Sequence, residues 1–125
     1  MNKLITMAGS SPASQSRLGG VRDRRYTIRY PFAADAELID VDSGKQVTGV
    51  TSDISMGGCF ICSSKPLPVN ARARLRLTRK GQAMEAYVIV RIAKPRVGLG
   101  IEFIDVEPPN QEVLAAWIES LRRSR

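Results

Sequence analysis

Apolar and polar positions alternate along most of this chain, and the period changes only near its end. Residues 71–78 show this most clearly. Ala71, Ala73, Leu75 and Leu77 fall on one side and Arg72, Arg74, Arg76 and Thr78 on the other, the two-residue repeat of a half-buried strand. Phe32, Ala34, Ala36 and Leu38 share a face within 32–41, and 46–55 is rich in the Val, Thr and Ile that suit a pleated surface. Gly57 and Gly58 separate that run from the short apolar stretch 59–62. Met84, Ala86, Val88, Val90 and Ile92 form the next inward set, with Glu85 and Arg91 outward. Leu99, Ile101 and Phe103 form the last, opposite glycines that imply close backbone approach. Turn residues punctuate the runs: Asp42 to Lys45, Pro66 to Pro68, Lys80-Gly81, and Lys94 to Arg96.

After Pro108, Pro109 and Asn110 the repeat lengthens. Val113, Leu114, Trp117, Ile118 and Leu121 recur at helical spacing, with Glu112 early and Arg122 and Arg123 late, as the helix dipole favours. Pro109 and Asn110 serve as start signals for a helix over about 109–123. About six short strands followed by one amphipathic helix predict a mainly β fold, a closed six-stranded antiparallel barrel with the C-terminal helix packed on it. Residues 1–21 are rich in Ser, Gly, Ala and Gln without periodicity and read as a flexible, disordered arm, which leaves 22–125 as one domain.

Composition narrows the chemistry. A chain of 125 residues, 43% hydrophobic, is long enough to bury a core without disulfide or metal support and too short for a second full domain. It has no histidine, which removes the commonest general base and metal ligand; we expect no enzyme activity, no metal and no cofactor. Cys59 and Cys62 lie in an apolar, β-prone run, not at the mouth of a helix, and no second Cys or His pair could complete a zinc site. Both are read as small hydrophobes in a strand. No window approaches the ~18 apolar residues of a membrane span, and the amino terminus lacks the apolar stretch of an export signal, so a cytoplasmic protein without membrane insertion is expected.

The 19 Lys and Arg against 12 Asp and Glu give a net charge of +7, which points to an anionic partner without choosing one. Thirteen of the 19 lie in three blocks: five Arg in 17–29, five basic residues in 72–80 and three Arg in 122–125. The middle block reads as a solvated stripe, Arg on an edge strand being a guard against aggregation, and the last as a dipole-compensating helix end.

The first block differs because it can act together with residues downstream of it. In extended chain Arg25 and Arg29 point the same way about 13 Å apart, able to grip two acceptor groups of one ligand, and the guanidinium fork matches a phosphate or the O6/N7 edge of guanine. Further on, Asp53 and Ser55 are two apart, hence expected on one strand face. The carboxylate can accept from guanine N–H donors, and Gly57 and Gly58 let the backbone turn and approach a flat ring. Tyr26, Tyr30 and Phe32 flank the first motif, but aromatics at a barrel mouth more often pack than stack.

RxxxR (Arg25, Arg29) followed after 24 residues by DxSxxG (Asp53, Ser55, Gly58), ahead of the glycine-containing run Gly98-Leu-Gly-Ile-Glu-Phe103 and a terminal helix, resembles the PilZ domain, the bacterial receptor module for cyclic di-GMP. The resemblance spans about Arg22 to Ile118. It implies a six-stranded barrel, with Arg25 and Arg29 on a flexible arm holding guanine and phosphate, and Asp53, Ser55, Gly57 and Gly58 forming the barrel side. It also implies that Arg24, a long basic neighbour, favours an intercalated nucleotide pair, and that a downstream protein partner reads the bound state. Two rival readings remain: a sequence-tolerant nucleic-acid binder, less favoured because 72–80 has no interleaved aromatics, and a non-binding protein-interaction adaptor.

Overall fold

In the computed structural model, residues 28–124 are described. The arm expected at 1–21 lies outside them. Seven strands form: β1 (Tyr30–Pro31), β2 (Asp35–Asp40), β3 (Gln46–Ile54), β4 (Gly58–Cys62), β5 (Arg72–Arg79), β6 (Gln82–Lys94) and β7 (Gly98–Asp105), followed by the helix α1 (Pro108–Arg123). All pairings are antiparallel. They run β3-β2-β5-β6-β7-β4 and close through β4 onto β3, so six strands make a complete barrel and the two-residue β1 is added beside the end of β3. The ring has no free edge. The Arg-bearing β5 therefore lies between β2 and β6 and not at an edge as expected.

The alternating sets meet inside. Leu38, Ile54, Ile61, Leu75, Leu77, Met84, Val88, Val90 and Leu99 are essentially without solvent contact, and Leu114, Trp117 and Ile118 bury the inner stripe of α1, which packs on β6 and β1. Both cysteines lie in β4 as expected, Cys59 in this core and Cys62 facing out, as strand alternation allows. Arg76 pairs with Glu85 at 2.6 Å, Arg74 lies over Tyr87 and Arg79 over Phe32, so the basic stripe is partly engaged with the barrel wall.

Three departures from simple alternation shape the site. The strand expected over 32–41 begins only at Asp35; residues 32–34 bridge β1 and β2. The buried Thr51 holds them: its hydroxyl accepts from the Ala34 N–H at 2.9 Å and donates to the Phe32 carbonyl at 2.6 Å. In β3 the register against β4 slips between Thr51 and Asp53. In β6 it slips against β7 between Val90 and Ile92, so Ile92 leaves the inward set and is exposed. At the helix start, Pro108 and Pro109 occupy the first positions. Asn110 is no cap: its side-chain oxygen accepts from the Glu85 N–H at 3.0 Å and ties α1 to β6.

Candidate functional site

The slip in β3 decides how the second motif is displayed. Without it, Asp53 would follow Thr51 to the inner face. Instead Asp53 ends half-buried on the outer surface and Ser55, just past the strand, turns inward and is buried. Its hydroxyl accepts from the Gly57 and Gly58 N–H groups, both at 3.1 Å, and its own N–H donates to the Gly58 carbonyl at 2.8 Å. Ser55 thus staples the Ser55 to Gly58 turn, a local side-chain-to-backbone device. It positions the turn instead of presenting a hydroxyl beside Asp53, which corrects the expected shared face.

Gly58 has a role in the packing of the barrel. The glycines with left-handed backbone among the described residues are Gly44 and Gly81, so neither Gly57 nor Gly58 supplies that kind of turn. What Gly58 supplies is room: a Cβ there would stand 2.0 Å from the Ile101 carbonyl oxygen.

The first motif reaches Asp53 through β1. Tyr30 pairs with Ile54 and Pro31 with Asp53, which sets Arg29 beside the carboxylate. Arg29 Nε and Nη2 both donate to Asp53 Oδ1, at 3.0 and 2.7 Å, while 47% of the Arg29 side chain and 30% of Asp53's stay exposed. Oδ2 accepts no hydrogen bond among the described residues. Two motifs 24 residues apart are thereby joined at the surface. Arg24, Arg25 and Tyr26 lie outside the described residues. Tyr30 and Phe32 are core groups: Phe32 packs on Trp117 with ring centroids 5.2 Å apart.

Arg29 and Asp53 border an open cleft of about 900 Å³ that continues across the barrel wall. Asp53 aligns with Phe60 on β4, Phe60 with Gly100 on β7 and Gly100 with Ile92 on β6, a row with no side chain at its third position. Arg91, Lys94 and Glu102 form the far wall, Arg91 paired with Glu102 and Lys94 Nζ 5.8 Å from the Phe60 ring centre. Phe103, Val106 and Leu114 line the lower side. Sequence reasoning missed Phe60, Arg91 and Lys94 as cleft residues. Phe60 reads as one more apolar strand residue, and the bulge that places Arg91 and Ile92 together outside has no signature in the alternation. Cys59, behind Asp53, is not a nucleophile: burial, then the Asp53 charge, push its thiol up to about 12 against the pull of Arg29. Among the described residues no cluster of Cys, Asp and Glu side chains could hold a metal, and no helix is long and apolar enough to cross a membrane.

The PilZ domain family model matches residues 23–120. No curated protein matches the chain by sequence. Among solved structures, the PilZ domain of CeSA from a cellulose-synthesizing bacterium is 26% identical with a TM-score of 0.61, over 76% of this chain and 98% of that one. The Bacillus subtilis inhibitor of motility, MotI/DgrA, is 15% identical with a TM-score of 0.65, over 84% of this chain and 54% of that one, a likeness of fold. Because the family match runs through barrel and helix alike, this chain belongs to the PilZ domain family, a family of cyclic di-GMP receptors that act as regulatory binding domains.

Proposed function

We propose that this domain binds cyclic di-GMP across the cleft and converts binding into a change that a protein partner reads. The observation that carries this reading is the Arg29–Asp53 contact, which joins the two motifs at the mouth of the cleft. An exposed ion pair contributes only about 0–1 kcal/mol, so a ligand that offers a phosphate or the O6/N7 edge of guanine can draw Arg29 away at small cost. Asp53, with Oδ2 open, then accepts from the N–H groups of a guanine. Arg25, four residues before Arg29, supplies the second guanidinium and Arg24 a third. Ser55, Gly57 and Gly58 keep the barrel side of the site flat, the first by stapling the turn and the last by letting β4 lie against β7 without a Cβ between. The chemistry required is recognition, with no bond made or broken.

The switch depends on where the arm joins the barrel. Ordering of Arg24 and Arg25 on the ligand would fix the chain ahead of Ile28 against the barrel, and the free and bound forms would present different surfaces to a partner.

Isothermal titration with cyclic di-GMP tests the reading. Saturable heat at micromolar ligand is expected, with linear GMP and GTP silent, and Arg25→Ala, Arg29→Ala or Asp53→Ala should each weaken binding by roughly tenfold or more, the loss of one charge-assisted contact. Absence of heat would overturn the proposal, and normal binding by Asp53→Ala would remove that residue from the site.

A further inference from the structure

The opposite end of the barrel carries a second organised surface. β2, β4 and β6 run toward it and β3, β5 and β7 leave from it, so three connections, 41–45, 63–71 and 95–97, meet there. Each exposes one valine: Val41 at 46%, Val69 at 50% and Val97 at 56%. Each also holds one residue in left-handed backbone, Gly44, Asn70 and Arg96, the mark of a tight, defined turn. They are braced from strand to strand: Lys45 Nζ donates to the Pro66 carbonyl at 3.1 Å, the Val41 N–H to the Arg72 carbonyl at 3.0 Å, and the Ser63 N–H to the Val97 carbonyl at 3.2 Å. The valines are fixed tips on a platform.

The charge around these tips has one prevailing sign. Five cations, Lys45, Lys65, Arg72, Lys94 and Arg96, outnumber two acids, Asp40 and Asp42, in and beside the three connections. No aromatic residue occurs in the three connections, which removes the stacking platforms of nucleic-acid binding and the anchors typical of protein interfaces. Aliphatic tips ringed by cations match the boundary of an anionic bilayer, where side chains enter below headgroups whose charge attracts Lys and Arg. We infer that this end docks peripherally on an anionic membrane surface, Val41, Val69 and Val97 entering the headgroup layer while Lys45, Lys65 and Arg96 meet lipid phosphates. Among the described residues no helix is long and apolar enough to cross the bilayer, so the contact is peripheral. The inference stands independently of the ligand reading, since Arg29, Asp53 and Gly58 lie at the other end of β3 and β4 and only Lys94, among the residues named, borders both surfaces.

Co-sedimentation of the full chain with vesicles tests it. Binding to phosphatidylcholine and phosphatidylglycerol in equal parts is expected, with none to phosphatidylcholine alone. Val69→Ser combined with Val97→Ser leaves net charge unchanged and should weaken binding about tenfold or more. Lys65→Glu should weaken it too, whereas Lys80→Glu, the same charge change in the β5–β6 hairpin at the far end, should not. A Val97→Trp variant should be quenched by brominated acyl chains, a readout that does not depend on the double variant folding. Equal binding by the valine variant, equal loss with Lys80→Glu, or absence of quenching would each overturn membrane docking by these tips. So would vesicle binding that is absent while DNA is retained through the same loops, which would make the occupant a polyanion.

Discussion

At Gly58 the space for a side chain is taken by backbone, since a Cβ would stand 2.0 Å from the Ile101 carbonyl oxygen and 3.1 Å from its carbon. A main-chain oxygen inside a sheet cannot swing aside as a flexible side chain can. Gly58→Ala should therefore destabilise the ligand-free fold by at least the ~1–3 kcal/mol of an overpacked core, seen as a lower melting temperature. Loss of ligand affinity in that variant would then report a displaced β4. Its neighbour Cys59 gives a pH test. Burial raises the thiol in the folded protein from about 9 to about 12, so the folded state holds its proton more tightly than the unfolded chain. Its contribution is complete below the unfolded value and declines as pH climbs through the interval between the two. Melting temperatures measured from neutral to strongly alkaline pH should fall more steeply for the natural chain than for Cys59→Ala, and a thiol reagent should label exposed Cys62 at once but Cys59 only on unfolding.

Among the elements, the link between β1, β2 and α1 depends on Phe32. Its ring packs on Trp117 and lies 4.8 Å beneath the Arg79 guanidinium, while Arg79 Nη1 donates to the Ala33 carbonyl at 2.6 Å. Phe32→Ala removes the ring from both contacts and should cost about 3–5 kcal/mol, with loss of the near-ultraviolet signal of Trp117. Its inward direction was legible from alternation with Ala34, Ala36 and Leu38, as were the six barrel strands and the helix, because each carries a regular period set by one buried face. The breaks in period were not legible. Ser52 and Arg91 look like ordinary outward residues, yet the slips beside them turn Asp53 and Ile92 outward. Those slips are set by how β3 meets β4 and β6 meets β7 across the sheet, not by any period within one strand, and the cleft wall depends on them. The two motifs could be read as belonging together by residue type, but the means of joining them, β1 pairing Pro31 with Asp53, was hidden in a two-residue strand too short to carry a pattern.

For the molecule as a whole, a barrel without edges and a site made of exposed side chains separate stability from recognition. The core is closed around Leu38, Leu75, Leu77 and Val90 whether or not Arg29 holds Asp53. The half-exposed pair contributes at most about 1 kcal/mol, so Asp53→Ala should melt within a few degrees of the natural chain when no ligand is present. Ligand changes that equality. A molecule that binds only the folded state at a hundred times its dissociation constant stabilises it by about 2.7 kcal/mol, on the order of 10 °C for a domain of this size. Trp117, buried where α1 packs on Phe32, reports global unfolding by its emission. Thermal melts followed at Trp117 should therefore nearly coincide for the two proteins without cyclic di-GMP and separate by several degrees in its presence, because a variant that binds tenfold more weakly gains only about half as much. If both rise equally, Asp53 is no part of the site; if Asp53→Ala already melts far lower without ligand, the carboxylate serves the fold and the separation of roles fails.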